Sequence, residues 1–580
     1  MKQEIINLIS EALSTLPLPD GVTADALPTP ELTRTRDAEF GDFASNIAMQ
    51  LARTLKRSPR DIANDIVTAL PTSELISKAE VAGPGFINLF LNESSANAVV
   101  ADVLRQGSAF GQTKATSPER ILIEYVSANP TGPLHVGHGR HAAYGATLAN
   151  LLRATGHEVS EEYYVNDAGR QMDILAASVL VRAVGDEDTA FPFAGYRGGY
   201  IRDIARDWKE AAGSTADVSI ATLYDDLPED GEDDRKEAFI DALIARAENL
   251  LGEQFATLRT FAKDAILDDI RDDLAEFGVT PERFFSEQSL EDDGSTDAAI
   301  KTLTDNGTLY EKGGALWFKT SDYGDEKDRV VVRENGKKTY FASDIGYHLN
   351  KRNRGFDRLI DVWGSDHHGY IARVEAGMTA MGVEADSLEV RLVQFVSLYR
   401  GGVKAQMGTR SGNFVTLRAL REEVGNDAAR LFYIMRSNDQ HLDFDLELAT
   451  SKRNENPVYY LQYAHARISN VFEKLDVENW TSDNGLKQLA RLTESHEQAL
   501  LSQLARYPEA IQSAANKRAP NALINYLRDL ATDLHSYYNA HKFMVDDPDL
   551  RDARLTLILA VQQVLKNGFS ILGISAPDRM

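Results

Sequence analysis

Three histidines, His135, His138 and His141, stand at a spacing of three in ANPTGPLHVGHGRH (128–141), among glycines and prolines. Imidazoles at that spacing suit two chemistries. His-x-x-His on a helix supplies two zinc ligands, but no HExxH and no cysteine set supplies the rest. The same imidazoles, acting as short N–H donors, suit phosphate oxygens. A third reading is a solvated polar turn without chemistry. Context decides among them. ILIEYVSA (121–128) is apolar and β-branched, as in a buried parallel strand, and AAYGATLANLLRATG (142–156) has the composition of a helix closed by Gly156. The histidines therefore fall in a loop that leaves the carboxyl end of a strand and opens a helix. Unpaired N–H groups and the helix dipole favour an anion there. Gly137 and Gly139 carry no side chain to keep phosphate from the backbone. His135 and His138 then fit a nucleotidyl-transfer site, where donors count most as charge develops.

HEVSEEYYVND (157–167) offers the next strand, so the segment reads as a βαβ unit of a doubly wound sheet. DRLIDVWGSDHHGYIARVEAGM (357–378) repeats the theme of strand, polar loop and helix. DRVVVRENGKKTYFASD (328–344) is a hairpin signal, with Asn335-Gly336 suited to a type I′ turn. Residues 1–110 form a small α/β unit, with helical periodicity over 40–70 and a strand at GFINLFL (85–91). GQTKATSPER (111–120) is a linker. The expected division is an N-terminal domain over 1–110, a catalytic domain over 118–425 with an acidic helical insertion at about 181–330, and a nearly all-helical domain over 426–580.

A chain of 580 residues, 43% hydrophobic and 26% charged, is long enough for about three or four domains. Without cysteine it has no disulfide, no thiolate nucleophile and no cysteine zinc ligand. No apolar run approaches the roughly 20 residues that cross a bilayer. MKQEIINLISEALSTLPLPDG alternates like an amphipathic helix rather than a signal peptide. A cytoplasmic protein is expected. The net charge of −26 weighs against a nucleic-acid partner until it is located. Residues 181–330 hold 17 Lys and Arg against 36 Asp and Glu, whereas 451–580 hold 15 of each. The last stretch leaves room for a local basic face against a polyanion.

HVGH resembles the HIGH signature of class I aminoacyl-tRNA synthetases, and EYVSANPTGPLHVGHGR resembles the arginyl-tRNA synthetases closely. FGDFASNIAMQLAR, WGSDHHG, GNFVTL, DAARLFYIMRS, NPVYYLQYAHARI and LGISAPDRM agree in order, so the resemblance spans nearly the whole chain. It implies an α/β protein: a Rossmann-like catalytic domain with a parallel sheet, a small N-terminal α/β domain and a helical C-terminal domain. It implies a ligase that converts arginine and ATP, as its magnesium complex and without zinc, to arginyl-adenylate. The arginyl group then passes to the terminal adenosine of arginine tRNA. A monomer without a membrane partner is expected.

The resemblance places Glu124, Ser127 and Asn129 against the arginine substrate, and Tyr340 and Asp344 on its guanidinium. A guanidinium is planar and permanently charged, which suits a carboxylate fork. Asp344 also reads as a helix N-cap, since SDIGYHLNKR can begin a helix there. Gly364, Asp366 and His367 map to the loop that holds adenosine and ribose, with His368 beside them toward arginine. The second class I signature, KMSKS, departs here to QMGTRSG (406–412). Met407 and Arg410 remain, and Arg410 is the expected cation for the leaving pyrophosphate, with Lys404 second. Gly132 stands where some relatives carry a compensating lysine.

In NPVYYLQYAHARISNVF (456–472), Val458, Leu461, His465, Ile468 and Phe472 form a core stripe. Tyr459, Gln462 and Tyr463 form a neighbouring stripe, expected to meet tRNA bases or else to pack. The N-terminal unit is assigned to tRNA by resemblance alone. A cysteinyl synthetase is disfavoured by the lack of cysteine, and a small cytidylyltransferase by chain length. The remaining alternative is a tRNA-binding paralogue with impaired activation.

Overall fold

The computed structural model describes the chain apart from residues 1, 20, 21, 24, 25, 36, 37, 187, 188, 213–217, 406–414 and 476–479. It contains two compact units: residues 1–110, 471–507 and 532–564 in one, and residues 111–470, 508–531 and 565–580 in the other.

The second unit is built on a five-stranded parallel sheet. Its strands are β1 (Arg120–Glu124), β2 (Glu158–Val165), β3 (Arg283–Ser286), β4 (Arg358–Gly364) and β5 (Leu388–Val393), in the order β5-β4-β1-β2-β3. The chain winds outward from β1 through β2 to β3, then crosses to β4 on the other side. The switch lies between β1 and β4, where an open α/β sheet leaves a crevice beyond its carboxyl ends. Ile121, Leu122 and Ile123 of β1 are buried, as both-face burial of a central parallel strand requires.

Between β1 and β2 runs α1 (Val136–Ala154), buried along most of its length by small residues. It begins six residues before the stretch expected to be helical, because His135 caps it. In turn β1 stops at Glu124, short of the expected end at 128. Val126 and Ser127 take φ of 69° and 42°, which no strand accommodates. The long insertion helix α2 (Glu253–Glu276) precedes β3, and α3 (Tyr340–Asn353) precedes β4. The turn before α3 is not type I′. Gly336 alone has positive φ (77°), and Arg333 N–H donates to Lys337 O at 2.8 Å. The hairpin is reduced to one bridge, Val332 to Lys338, before the chain enters α3.

Beyond β5 come α4 (Leu417–Val424), α5 (Asn426–Ile434) and α6 (Pro457–Glu473). The expected all-helical run is broken by Leu442–Asp445, a strand parallel to Val396–Arg400. The last helix, α7 (Pro548–Leu572), has the length and composition of a membrane span, yet Leu555, Leu557, Ile558, Val561, Val564, Leu565 and Phe569 are fully buried in the protein. It is a core helix. In the other unit, Lys2–Ser14, Ile47–Leu55 and Pro59–Ala69 pack Ile9, Ile47, Leu51, Ile62 and Ile66 on a four-stranded antiparallel sheet.

Candidate active site

The first turn of α1 is a capping box made of two histidines. His135 Nδ1 accepts from Gly137 N–H at 3.1 Å, and His138 Nδ1 accepts from the His135 N–H at 3.2 Å. The rings stack with centroids 3.6 Å apart. Each Nδ1 is an acceptor, so each neutral ring carries its proton on Nε2. Burial holds both rings below the ordinary histidine range, His138 well below, and takes His141 down to about 4, with His135 and Arg140 adding repulsion. At neutral pH these rings are uncharged N–H donors at a helix N-terminus.

The glycines between them have another purpose than open space. A Cβ on Gly137 would lie 2.9 Å from the His135 ring. One on Gly139 would lie 2.7 Å from both Leu417 Cδ1 and Tyr433 Oη. The side-chain direction of Gly139 is therefore filled by α4 and α5. The expectation that it opens toward phosphate is corrected to close helix packing. Gly364 likewise lets the Asp366 carboxylate fold back against the backbone, with the His141 ring 3.8 Å from its Cβ direction. The two strand-to-helix loops thus meet at the switch point. Asp366, His367 and His368 are exposed on a 3-10 turn (Ser365–Tyr370).

Val126 is β-branched and Ser127 polar, and both are held in the left-handed region, a cost of about 1–3 kcal/mol each. The kink turns Ser127 Oγ onto Glu124 Oε1 at 2.9 Å, where it also accepts from Tyr164 N–H at 3.1 Å. Asn129 lies exposed beyond the kink.

Four carboxylates act electrostatically on the Tyr164 hydroxyl: Glu287, Asp344, Glu124 and Asp167. Burial and these charges together raise the phenol, so it stays protonated. Asp344 accepts from Tyr370 Oη, and burial raises it above the usual carboxylate range. It lies in the second turn of α3, whose N-cap is Thr339, so the N-cap reading of Asp344 is overturned. Tyr340 begins that helix and is 60% exposed. Asp167 accepts from Ser286 Oγ and Gln288 N–H. Glu287 is 4% exposed, its Oε2 has no hydrogen-bond partner, and burial with Asp344 and Asp167 pushes it up to about 8. Asp167 also pairs with Lys263 Nζ at 3.4 Å, whereas the buried Glu287 oxygen is left without a donor. Sequence reading missed Glu287, Asp167 and Tyr164. Glu287 stood within the acid-rich insertion and Asp167 closed the expected strand 157–167, so neither was singled out.

Met407 and Arg410 lie outside the described residues. Their C-terminal flank is knitted to the histidine loop: Val136 N–H donates to Val415 O at 3.2 Å and Leu417 N–H to Leu134 O at 2.8 Å. On α6, the Tyr459 and Tyr463 rings stack at 5.7 Å, and the Arg467 guanidinium lies 5.2 Å from the Tyr463 centroid. Gln462 is corrected: it is buried, and its amide donates to Asp427 Oδ2 at 2.7 Å and to Ser575 O at 3.1 Å, tying α6 to the C-terminal segment.

The chain matches three protein families: an arginyl tRNA synthetase N terminal domain over residues 3–91, a class I (R) tRNA synthetase catalytic domain over 99–445 and a DALR anticodon binding domain over 461–580. It is 53% identical over 586 residues to the arginine–tRNA ligase of Thioalkalivibrio sulfidiphilus and 51% identical over 588 residues to that of Halorhodospira halophila. Both matches cover all of both chains. Its fold superposes on the arginyl-tRNA synthetase of Thermus thermophilus with a TM-score of 0.74 at 21% identity, again over the whole of both chains.

Proposed function

The chain belongs to the arginyl-tRNA synthetase family of class I, and from that we propose that it takes L-arginine beyond the carboxyl ends of β1, β2 and β3, where Glu124, Asp167 and Glu287 stand. It is an arginine–tRNA ligase: it activates arginine with ATP and transfers it to the terminal adenosine of arginine tRNA. The paralogue with impaired activation finds no support, since relatives named as ligases match from end to end.

The observation that carries the site is the unpartnered Oε2 of buried Glu287, on which the charges of Asp344 and Asp167 act. Asp344 and Glu287 take the guanidinium, with Tyr340 over its face and His368 at the rim. Glu124, Ser127 and Asn129 take the α-ammonium end. The arginine carboxylate is thereby aimed at ATP. One of its oxygens attacks the α-phosphorus, and pyrophosphate leaves with the α–β bridging oxygen. The Nε2–H groups of His135 and His138 stabilise the charge that develops on the phosphates. Gly137, whose N–H is taken by the His135 ring, keeps the first turn of α1 free of a side chain beside the phosphates. Gly364, Asp366, His367 and Met407 hold the adenosine, and Arg410 is the cation for pyrophosphate. A terminal ribose hydroxyl of the tRNA then attacks the arginyl carbonyl and AMP leaves.

The reading takes ATP as its magnesium complex and uses no zinc. The magnesium enters with ATP as part of the substrate. We also propose a cytoplasmic monomer, with catalytic residues 118–425, an N-terminal domain over 1–110 and the helical domain 426–580. Tyr459 and Tyr463, with Arg467, would stack on unpaired tRNA bases, as aromatic and guanidinium planes do elsewhere.

The test compares arginine with citrulline, its uncharged isostere, in ATP–pyrophosphate exchange with arginine tRNA present. Burying a neutral urea against these carboxylates leaves charge unpaired, so discrimination of at least about 10⁴ in kcat/KM is expected. Comparable use of citrulline would refute a carboxylate-based pocket.

A further inference from the structure

Three carboxylates stand at one level across the sheet: Asp361 on β4 is in register with Glu124 on β1, and Glu124 with Glu162 on β2. Like charges side by side on neighbouring strands repel, and all three are buried. The helix α3 answers them in order. Lys351, fully buried, reaches Glu124 Oε2 at 2.5 Å and Asp361 Oδ1 at 2.8 Å. His348 bonds Asp361 Oδ2 through Nε2 at 2.7 Å and the Asp344 carbonyl through Nδ1 at 2.7 Å. Arg354 grips Glu162 with both terminal nitrogens, at 2.6 and 2.8 Å, beside the Tyr347 hydroxyl at 2.7 Å.

Such a ladder does little for net stability, because desolvation offsets much of the attraction, but it admits one register of helix on sheet. That register has a consequence for the site. Lys351 lies seven residues beyond Asp344, two helical turns or roughly 10 Å along α3. Asp344 is thereby set near one end of an extended arginine, and the Glu124 carboxylate, held by Lys351, near the other. Burial and neighbouring Asp361 push Glu124 up, and Lys351 is the counter-charge that opposes them.

We propose that Lys351 is a positioning residue for amino-acid specificity: it holds the Glu124 carboxyl group in place for the α-ammonium of arginine, with Asp361 fixing Lys351 and His348 fixing Asp361 in turn. The inference rests on the reading that Glu124 meets the arginine substrate. Lys351 itself touches neither substrate.

The experiment is arginine-dependent ATP–pyrophosphate exchange by the full chain with arginine tRNA. It compares wild type, Lys351→Met and Glu124→Gln, and uses desamino-arginine, which keeps guanidinium and carboxylate but has no α-ammonium, as a competitive inhibitor. In Lys351→Met the arginine KM rises at least tenfold, while the ATP KM and the inhibition constant of desamino-arginine stay within twofold. An unchanged arginine KM overturns the proposal. So does an equal loss for arginine and desamino-arginine, which a merely structural lysine would produce. Glu124→Gln separates the layers: if it leaves the arginine KM unchanged, the reading of Glu124 itself is wrong. If it raises the KM and Lys351→Met does not, only the role of Lys351 is lost. Should Lys351→Met not fold, Lys351→Arg replaces it. A guanidinium cannot occupy the ammonium's place between two carboxylates, so the arginine KM should rise at least threefold with desamino-arginine unaffected, and an unchanged KM overturns the proposal.

Discussion

His138 joins a structural task, capping α1, to the chemistry proposed for it. Its Nδ1 accepts from the N-cap backbone and its Nε2–H is left as a donor. His138→Ala should cost about 1 kcal/mol of capping and lower the rate of pyrophosphate exchange by about 10²–10³. tRNA affinity should be unchanged in a filter-binding assay, and wild-type exchange in the variant would remove His138 from the chemistry. Glu287 makes a pH prediction. Its folded pKa is raised from 4.5 to about 8, chiefly by burial. Below 8 it is protonated and neutral, and a cation can pair with it only after the proton leaves. The arginine KM should therefore fall as pH rises from 6 to 8, by up to about tenfold per unit, and level off above. In the substrate-free protein the same shift has the opposite effect: the folded form keeps a proton that the unfolded form has released, so this carboxyl costs stability progressively from pH 4.5 to 8. Glu287→Gln should raise the arginine KM at pH 8 and flatten the profile, and a slope that survives in the variant points to another group. The histidines were legible from spacing. Glu287 was not, because the sequence cannot tell a buried acid from its solvated neighbours.

At the scale of elements, α1 lies close to the sheet because Gly145 has no side chain. A Cβ there would come within 2.8 Å of Tyr125 Cβ, and Tyr125 is fully buried with its hydroxyl bonded to Glu161. Since neither partner can move far, Gly145→Ala should cost about 3 kcal/mol, seen as a lower melting temperature. A variant as stable as wild type would mean that the ring swings aside. The insertion helix α2 is tied to α4 by Arg421, which donates to Asp273 Oδ1 at 2.5 Å and Glu276 Oε2 at 2.6 Å. Asp273 is 1% exposed, so Arg421→Met strands a buried carboxylate at about 3–5 kcal/mol. Adding Asp273→Leu should recover most of that loss, and no recovery would show that packing rather than charge had been removed. The strand–loop–helix order was readable from apolar runs and turn residues. The true start of α1 was not, because histidine is not an expected N-cap and the capping box needs both rings in place.

For the whole molecule the dominant quantity is a net charge of −26. Self-repulsion of this size is screened by salt. The thermal midpoint should rise between 20 mM and 500 mM potassium chloride, two concentrations chosen to take the Debye length from roughly 20 Å to about 4 Å. A falling midpoint would show that paired charges, such as those of Arg418 with Asp269, Asp272 and Glu276, outweigh the repulsion.

Taken by itself, the sequence determined the chemistry class and the order of the chain. Histidines at a spacing of three after a β-branched strand, the second loop GSDHHG and the zero cysteine count are local facts that survive without coordinates. Tertiary structure decided which distant residues share a site. Asp361 stands beside Glu124 only because β4 crosses back next to β1, and Lys351 reaches both only because α3 lies across that pair. It also decided that Gly139 faces Leu417 and that Gln462 is bound to Asp427 and Ser575. Spacing along a chain reports neighbours within a turn of helix or strand, whereas burial and charge pairing arise between segments separated by hundreds of residues, and it is burial that lifts the Glu287 carboxyl out of its ordinary range.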